Sequence, residues 1–416
     1  MPPGDSRRQL TGIAPASSAS RLVYAAAGVR SLTIGFTGVA LGLFLGVLGA
    51  SATQLGVVVA LGLAGNAVGT AVVAMQGDRI GRRRALLVAS ALSATGLGLI
   101  ALATRPALLG LAALLGMVNG MGRDRGPAQT VDQSLLAGLV EGPGRTAAFT
   151  RYTFVQDVLG ALGSLAAGLP ALLATQLGVA PITAYRGTFL GAAALSLLPI
   201  VLYARVRDPG APAPRPAGRE RLGPGSRRRV AGLVGLFALD SVGGGLLAGS
   251  ILSYWFFRRY GLGGETLGVV FFVARALNAA SYFGAAALAR RLGLIRTMVV
   301  THLPSSAVLL VLPFVAAPWL AIALFLVRES LVQMDVPARQ SYVAAVTAPG
   351  ERTFALGVTS LARNLGWAVG PGVAGAAMGW LGLGAPLVAG AGLKIVYDVA
   401  LYASYRRVRP PEEGDG

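Results

Sequence analysis

Long apolar runs without charge, separated by short arginine-rich stretches, constrain this chain more than any other feature. Residues 53–76 and 85–104 contain no charged side chain, and they flank residues 77–84, which hold one acid and four arginines. A run of roughly twenty apolar residues spans the hydrocarbon core of a bilayer. The pattern therefore predicts membrane-spanning helices joined by tight, positively charged turns.

Composition supports a membrane protein and excludes several kinds of site. The chain is 54% hydrophobic and 13% charged, against about 25% charged in soluble domains. Its net charge of +19 lies mostly in loops between apolar runs, which indicates membrane orientation and not nucleic-acid binding. There is no cysteine and a single histidine, His302, so we expect no metal site and no cofactor. We expect His302 to be interfacial.

Twelve apolar segments predict an all-α membrane protein. They lie near 22–50, 53–76, 85–104, 106–129, 146–174, 184–204, 230–257, 265–289, 297–317, 318–345, 353–381 and 384–405. The predicted parts are a tail (1–21), a six-helix half (22–204), a Pro/Gly/Arg-rich linker (205–229), a second half (230–405) and a tail (406–416). Arginines favour alternate loops, which predicts a multi-pass protein of the cell (inner) membrane with both termini cytosolic.

The two halves repeat one another. Arg30-Ser31 with Gly35 matches Asp240-Ser241 with Gly245, and residues 125–128 (Arg-Gly-Pro-Ala) match residues 335–338 (Asp-Val-Pro-Ala). The matches share order and spacing. Two related halves are how many transporters build a central site.

Several motifs resemble the major facilitator superfamily. Asp78, Arg79, Gly81 and the arginines 82–84 fit its loop signature between helices two and three, with Ala74 in place of the first glycine. Residues 334–342 resemble bacterial efflux permeases of that superfamily. Gly366, Gly370, Pro371 and Gly375 resemble its antiporter motif better than helix 5 does.

This resemblance implies a major facilitator fold of twelve transmembrane helices in two pseudo-symmetric halves. It implies transport of a small organic solute by alternating access, by a monomer in the lipid bilayer without nucleic-acid partners. It also implies a latch for the outward-facing state, formed by Asp78, Arg79, Gly81, Arg82 and Arg83, with Asp78 near the amino end of helix 11. The alternative is that this loop only sets orientation.

Charged residues inside the membrane are costly, and their default interpretation is functional. Arg30, Asp157, Asp240 and Arg363 lie at nearly one depth, so we expect two pairs, Arg30 with Asp157 and Asp240 with Arg363. Structural and transport roles for these pairs stay equally open. Lys394 and Asp398 are expected to pair along one helix.

Glu329 is the first choice as carrier of a coupling proton, because burial at the midplane favours the protonated carboxyl. Asp240 and Asp157 are the other candidates. Arg328 precedes Glu329, and adjacent helical residues point about 100° apart. One of the two is therefore expected to face the cavity and the other a neighbouring helix.

Other polar residues complete the expected sites. The substrate-cavity candidates are Arg30, Asn119, Gln156, Arg275, Asn278, Arg328, Arg363 and Asn364. The gate or interface candidates, expected near the cytosolic ends of helices 4 and 10, are Arg123, Asp124, Arg125, Asp335 and Arg339.

Three functions compete. Proton-coupled efflux of a small organic solute comes first, with a uniporter or symporter for an anionic metabolite as its variant, since deep arginines suit carboxylate or phosphate. A membrane enzyme is disfavoured by the missing cysteines, the single histidine and the absence of a phosphate-binding loop. A non-transporting scaffold or receptor is disfavoured by the intramembrane charges and the repeat.

Overall fold

The computed structural model describes residues 17–140, 144–206, 224–347 and 352–406, which fold almost entirely into α-helices. The first half contains α1 (Ser18–Val47), α2 (Ala52–Ile80), α3 (Arg82–Leu102), α4 (Pro106–Gly116), α5 (Pro127–Leu139), α6 (Gly144–Ala166), α7 (Leu169–Leu177), α8 (Pro181–Leu195) and α9 (Leu198–Ala204). The second half contains α10 (Pro224–Gly245), α11 (Gly249–Tyr260), α12 (Gly264–Leu292), α13 (Leu294–Val311), α14 (Pro318–Val332), α15 (Asp335–Ala345), α16 (Arg352–Leu381) and α17 (Ala385–Tyr405).

Eight segments in the described part of the chain are long and apolar enough to cross a membrane. They are Ser18–Val47, Ala52–Gln76, Arg82–Leu102, Ala147–Leu177, Pro181–Ala204, Arg227–Tyr260, Leu294–Phe314 and Ala385–Tyr405. The predicted all-α membrane fold is confirmed. The count of twelve spans stays a prediction, because the remaining apolar stretches are broken, as α4 is after 11 residues, or carry internal charges.

Two boundaries between the predicted parts of the chain differ from the helix ends in the structure. α1 begins at Ser18, where the Ser17 hydroxyl accepts a hydrogen bond from Ser20 N at 3.1 Å and caps the helix, so the last residues of the predicted tail are helical. α10 begins at Pro224, inside the predicted linker. Most of that linker and of both tails lies outside the described residues, and the division into parts stays a prediction.

The predicted loop at 77–84 is mostly helix. α2 continues to Ile80 and α3 begins at Arg82, so Gly81 alone makes the turn. Its φ of +84° lies in the left-handed region that favours glycine, which explains this residue in the motif.

α4 and α5, and likewise α14 and α15, are pieces of one interrupted segment. α4 ends where Met117 adopts φ +50°, and α5 restarts at Pro127. Proline suits the first turn of a helix, because its missing N–H has no partner there anyway. In the second half α14 ends at Val332 and α15 starts at Asp335. The repeated motif of residues 125–128 and 335–338 therefore marks corresponding helix breaks.

The two halves pack together mainly at one end of the bundle. We call the end where α1 begins and α2 ends the terminal end, and the opposite one the far end. Across the halves, α1 packs on α11, α2 on α16 and α6 on α12. Gly56 and Gly375 let α2 and α16 touch near the far end, since a Cβ on Gly56 would lie 2.7 Å from Gly375 Cα.

Hydrogen bonds between the halves also lie near the far end. Ser253 Oγ donates to Val39 O at 2.8 Å, and Tyr254 OH donates to Ala50 O at 3.1 Å. The far end is thus closed. A cavity of about 450 Å³ extends toward the terminal end, between α5, α6, α12 and α16. The bundle is therefore closed at the far end and open toward the terminal end.

Candidate functional site

Arg30 is the centre of a buried network inside the first half. Its Nε donates to Asp124 Oδ2 and its Nη2 to Asp132 Oδ2, both at 2.7 Å. Its Nη1 donates to the Tyr203 hydroxyl at 2.6 Å, and the Tyr152 hydroxyl lies 3.2 Å from Nη2. Both tyrosines in turn donate to Asp132 Oδ2, at 3.0 and 3.1 Å. We call these five residues the N-terminal charge network.

The predicted pairing of Arg30 with Asp157 is wrong. Gln156, not Asp157, points toward the network, where its Nε2 donates to Asp124 Oδ2 at 2.9 Å. Neighbouring helical residues diverge by about 100°, so Asp157 turns toward the open cavity, which it lines. The break after α4 brings Asp124 to α1 and supplies the carboxylate that Asp157 was expected to provide.

Sequence reasoning missed Asp132. Its side chain is fully buried in α5, with two tyrosines and Arg30 as partners. The predicted fourth span stopped at residue 129, three residues earlier. One sequence signal could have identified Asp132. It is an acid five residues after Pro127, and a proline there indicates the start of a new helix within the same membrane segment.

Asp240 is the centre of a second buried network, in the other half. Its Oδ1 accepts from Lys394 Nζ at 2.8 Å, and its Oδ2 accepts from Arg339 Nη1 at 3.2 Å. His302 lies between the helices, with Nδ1 3.0 Å from Asp398 and Nε2 3.4 Å from Lys394 Nζ. We call these five residues the C-terminal charge network.

Three predictions about the residues of this network are wrong. Asp240 pairs with Arg339 and Lys394 instead of Arg363. Lys394 and Asp398 do not bond to each other, because each reaches across to a different helix. His302 is not interfacial, since only 2% of it is exposed. Sequence spacing along α17 gave no sign of partners on α10 and α13.

The two networks repeat one plan with the charges reversed. In the first half a cation on the first helix, Arg30, forms ion pairs with two carboxylates. In the second half a carboxylate at the matching position, Asp240, forms ion pairs with two cations, Lys394 and Arg339. Each half is thereby cross-linked internally by buried charges.

Arg328 and Glu329 form an ion pair with each other, and both line the central cavity. Asn278 Nδ2 also donates to Glu329 Oε2 at 2.7 Å. The expectation that only one of the two faces the cavity is wrong, because the long guanidinium side chain reaches around the helix. Glu329 is therefore held by a cation and an amide donor.

The backbone between α4 and α5 is satisfied partly by the other half. Asn119 Oδ1 accepts from the amides of residues 121 and 122 and holds the turn. From the second half, Ser250 N donates to Gly120 O at 2.9 Å, and Arg275 donates to Gly122 O. Irregular backbone at membrane depth is tolerated where such partners exist.

The helix breaks change the position of the gate candidates. Arg123, Asp124 and Arg125 lie at the break, with all of α5 beyond them, and Asp335 and Arg339 begin α15 with an ion pair. Their expected place at the cytosolic helix ends is wrong, because the segments continue past the breaks. They line the central cavity instead. Their role as a gate stays a prediction.

The central cavity has two adjoining lobes that share Arg123, Arg125, Arg275, Arg363 and Trp367. None of these four arginines belongs to an ion pair within the described residues. The larger lobe also holds Asn364 and Gln156, as predicted candidates for the cavity. Its size suits a small organic ligand.

Trp367 joins two of these arginines across the interface of the halves. The Cζ atom of Arg125 lies 3.8 Å from the centre of the indole ring, and that of Arg363 lies 4.7 Å from it. Cation–π contact holds each guanidinium without using its N–H donors. Two like charges are thus brought together facing the cavity.

The latch candidates are only partly described. Asp78 lies in the last turn of α2, and its side chain lies outside the described residues. Arg79 and Arg83 are exposed, Arg82 is buried, and Gly81 makes the turn. The latch role stays a prediction.

Comparison with known proteins agrees with this architecture. Residues 23–334 match the model of the Major Facilitator Superfamily. The uncharacterized membrane protein YJR124C of Saccharomyces cerevisiae is 24% identical over 390 residues, covering 86% of this chain and 87% of that protein.

Two solved structures share the fold. The nucleoside transporter NupG (D323A mutant) gives a TM-score of 0.73 at 13% identity, covering 93% of this chain and 99% of that one. A bacterial homolog of the human lysosomal transporter Spinster, inward-facing and occupied, gives 0.73 at 16% identity, covering 93% and 96%. These likenesses show the fold, and the family match covers well over half of the chain. The chain belongs to the Major Facilitator Superfamily.

Proposed function

We propose that this protein is a secondary transporter for a small organic anion. The observation that carries the proposal is the set of four cavity arginines that form no ion pair among the described residues, Arg123, Arg125, Arg275 and Arg363. Guanidinium groups bind carboxylate and phosphate through paired N–H donors. All four side chains are partly buried, so they lose part of their hydration without gaining a paired carboxylate, and a bound anion would offset that loss.

The nearby acids do not cancel this charge. Asp124 lines the same lobe but is bonded to Arg30. Asp157 is the other carboxylate of the lobe, and no ion pair among the described residues includes it. Four cations therefore face one uncommitted acid, which favours an anionic ligand over a cationic one.

Proton coupling is the second part of the proposal. Asp157 replaces Glu329 as the preferred carrier, because Arg328 and Asn278 both stabilise the ionised form of Glu329. A proton on Asp157 would add to the positive charge of the lobe and strengthen anion binding, so the proton and the anion would cross together, as in a symporter. Release of that proton would weaken anion binding. Efflux by exchange against protons, the direction predicted from the sequence resemblance, needs the opposite coupling and is not part of this proposal.

Flux in proteoliposomes tests the proposal. The wild type should carry small carboxylates or phosphate esters, and Arg363→Gln should raise the apparent KM about 10- to 100-fold, as expected for a lost charged hydrogen bond. Arg105→Gln is the matched control, because Arg105 is exposed before α4 and far from the cavity. Preference for neutral solutes would contradict an anionic substrate. Absence of any flux would favour the scaffold alternative.

A further inference from the structure

A crevice between α6 and α12 opens the central cavity sideways, toward the surface that faces the membrane. The two helices touch near the far end, where Gly264 and Gly268 lie against the backbone carbonyls of Ala167 and Leu165. From there they diverge toward the terminal end. The space between them amounts to a cavity of about 870 Å³.

The walls of this crevice are apolar because of the side chains on each helix. On α12 the lining residues include Phe272 and Tyr282 at either end and three alanines between them, Ala276, Ala279 and Ala280, which leave room where larger side chains would fill it. On α6 the wall includes Phe154 and Leu162, which are 67% and 42% exposed. From residue 149 to residue 162 the wall is about 20 Å long, at 1.5 Å per residue. Such a surface suits a hydrocarbon chain.

The crevice and the charged cavity are continuous. Four side chains line both spaces: Thr153, Asp157, Arg275 and Tyr282. A molecule at this boundary would therefore have its apolar part between α6 and α12 and its polar part among the arginines of the larger lobe. The positive charge of the arginines favours a negatively charged polar part, as it does for the proposed substrate.

We propose that the transported anion is an amphiphile, with an anionic head group at the cavity arginines and a hydrocarbon tail in the α6–α12 crevice. This inference rests on the proposed function and adds the class of substrate. Entry and exit would occur sideways, between these two helices, without complete withdrawal of the tail from the bilayer. The other possible occupant of the crevice is an ordinary bilayer lipid, held by its tail alone.

Photolabelling separates these two occupants. The probes are dodecyl phosphate and a neutral dodecyl glucoside, each with a diazirine at the end of the tail, added to the protein in lipid nanodiscs. The phosphate probe should label residues 149–162 and 272–282, and excess butyl phosphate should reduce that labelling. The glucoside should label them no more than Phe314 or Trp380, which are exposed elsewhere on the bundle. Equal labelling by both probes would overturn the inference.

A filled crevice provides a second test. Ala279→Phe should weaken dodecyl phosphate binding about tenfold or more, while butyl phosphate binding stays unchanged. Ala91→Phe is the matched control, since Ala91 is exposed on α3, away from the crevice. If butyl phosphate binds and the longer tail adds no affinity, the amphiphile inference fails and the anion transporter stands. If neither phosphate binds, the proposed function itself fails.

Discussion

Asp240 Oδ1 and Lys394 Nζ lie 2.8 Å apart, although 154 residues separate them in the chain. This contact joins α10 to α17 inside the second half. Arg339 adds a second cation at the other oxygen of the same carboxylate, at 3.2 Å. A buried acid between two bases ties three helices together, and its stability depends on all three side chains.

Removal of the acid alone should harm the protein more than removal of both charges of this contact. Asp240→Asn leaves the buried Lys394 without its carboxylate, which costs about 3–5 kcal/mol, whereas Lys394→Met should cost less, because Arg339 still pairs with Asp240. The double variant should recover part of that loss. Thermal unfolding of the purified protein measures it, and additive effects would show that the two side chains do not interact.

The partner of Arg30 can be tested in the same way. Arg30→Gln combined with Asp132→Asn should show a coupling energy of about 1 kcal/mol or more, because the two groups are in direct contact. Arg30→Gln combined with Asp157→Asn should be close to additive. Thermal unfolding of the wild type, the single variants and the two double variants supplies the stabilities for both double-mutant cycles. Strong coupling to Asp157 would contradict the observed N-terminal charge network.

These networks show what the sequence could predict and what it could not. Charge at membrane depth correctly marked Arg30 and Asp240 as unusual positions, and the repeat correctly related them. Their partners were not predictable, since Asp124 reaches Arg30 only because a helix breaks, and Lys394 comes from the end of the chain. Depth is encoded locally in the sequence, whereas pairing depends on the packing of distant helices.

The helix breaks illustrate the same limit. The sequence relates residues 125–128 to residues 335–338 but predicts both stretches at helix ends. A Gly-Pro or Val-Pro step resembles the end of a helix, and only the helices beyond it, α5 and α15, show an interruption. In contrast, the turn at Gly81 and the apolar spans followed directly from local composition.

The natural absence of cysteine allows a direct test of the closed far end. A Cβ on Gly379 would lie 3.0 Å from Thr53 Oγ1, so Thr53→Cys with Gly379→Cys should form a disulfide between α2 and α16. Oxidation should then stop transport, and a reductant should restore it. Each single cysteine variant serves as control. Full transport by the cross-linked protein would show that the halves need not separate there.

Measurements of proton coupling should distinguish the roles of two carboxylates, Asp157 and Glu329. Asp157→Asn should abolish accumulation driven by a pH gradient while exchange of substrate continues, because exchange need not move a proton. Glu329→Gln should keep the response to the pH gradient, since its carboxylate is paired with Arg328. Uptake in proteoliposomes with an imposed gradient measures both variants. The opposite pattern would return the role of carrier to Glu329.

The break between α4 and α5 carries an energetic consequence for the transport cycle. The carbonyls of Gly120 and Gly122 obtain their hydrogen-bond donors from Ser250 and Arg275, across the line where the halves must separate. Opening of the far end would remove these donors from both carbonyls. Each carbonyl left without a hydrogen bond costs about 1–3 kcal/mol. Water entering the newly opened space would offset that cost. Hydration of a few backbone atoms would thus accompany the movement of helices and contribute to its free energy.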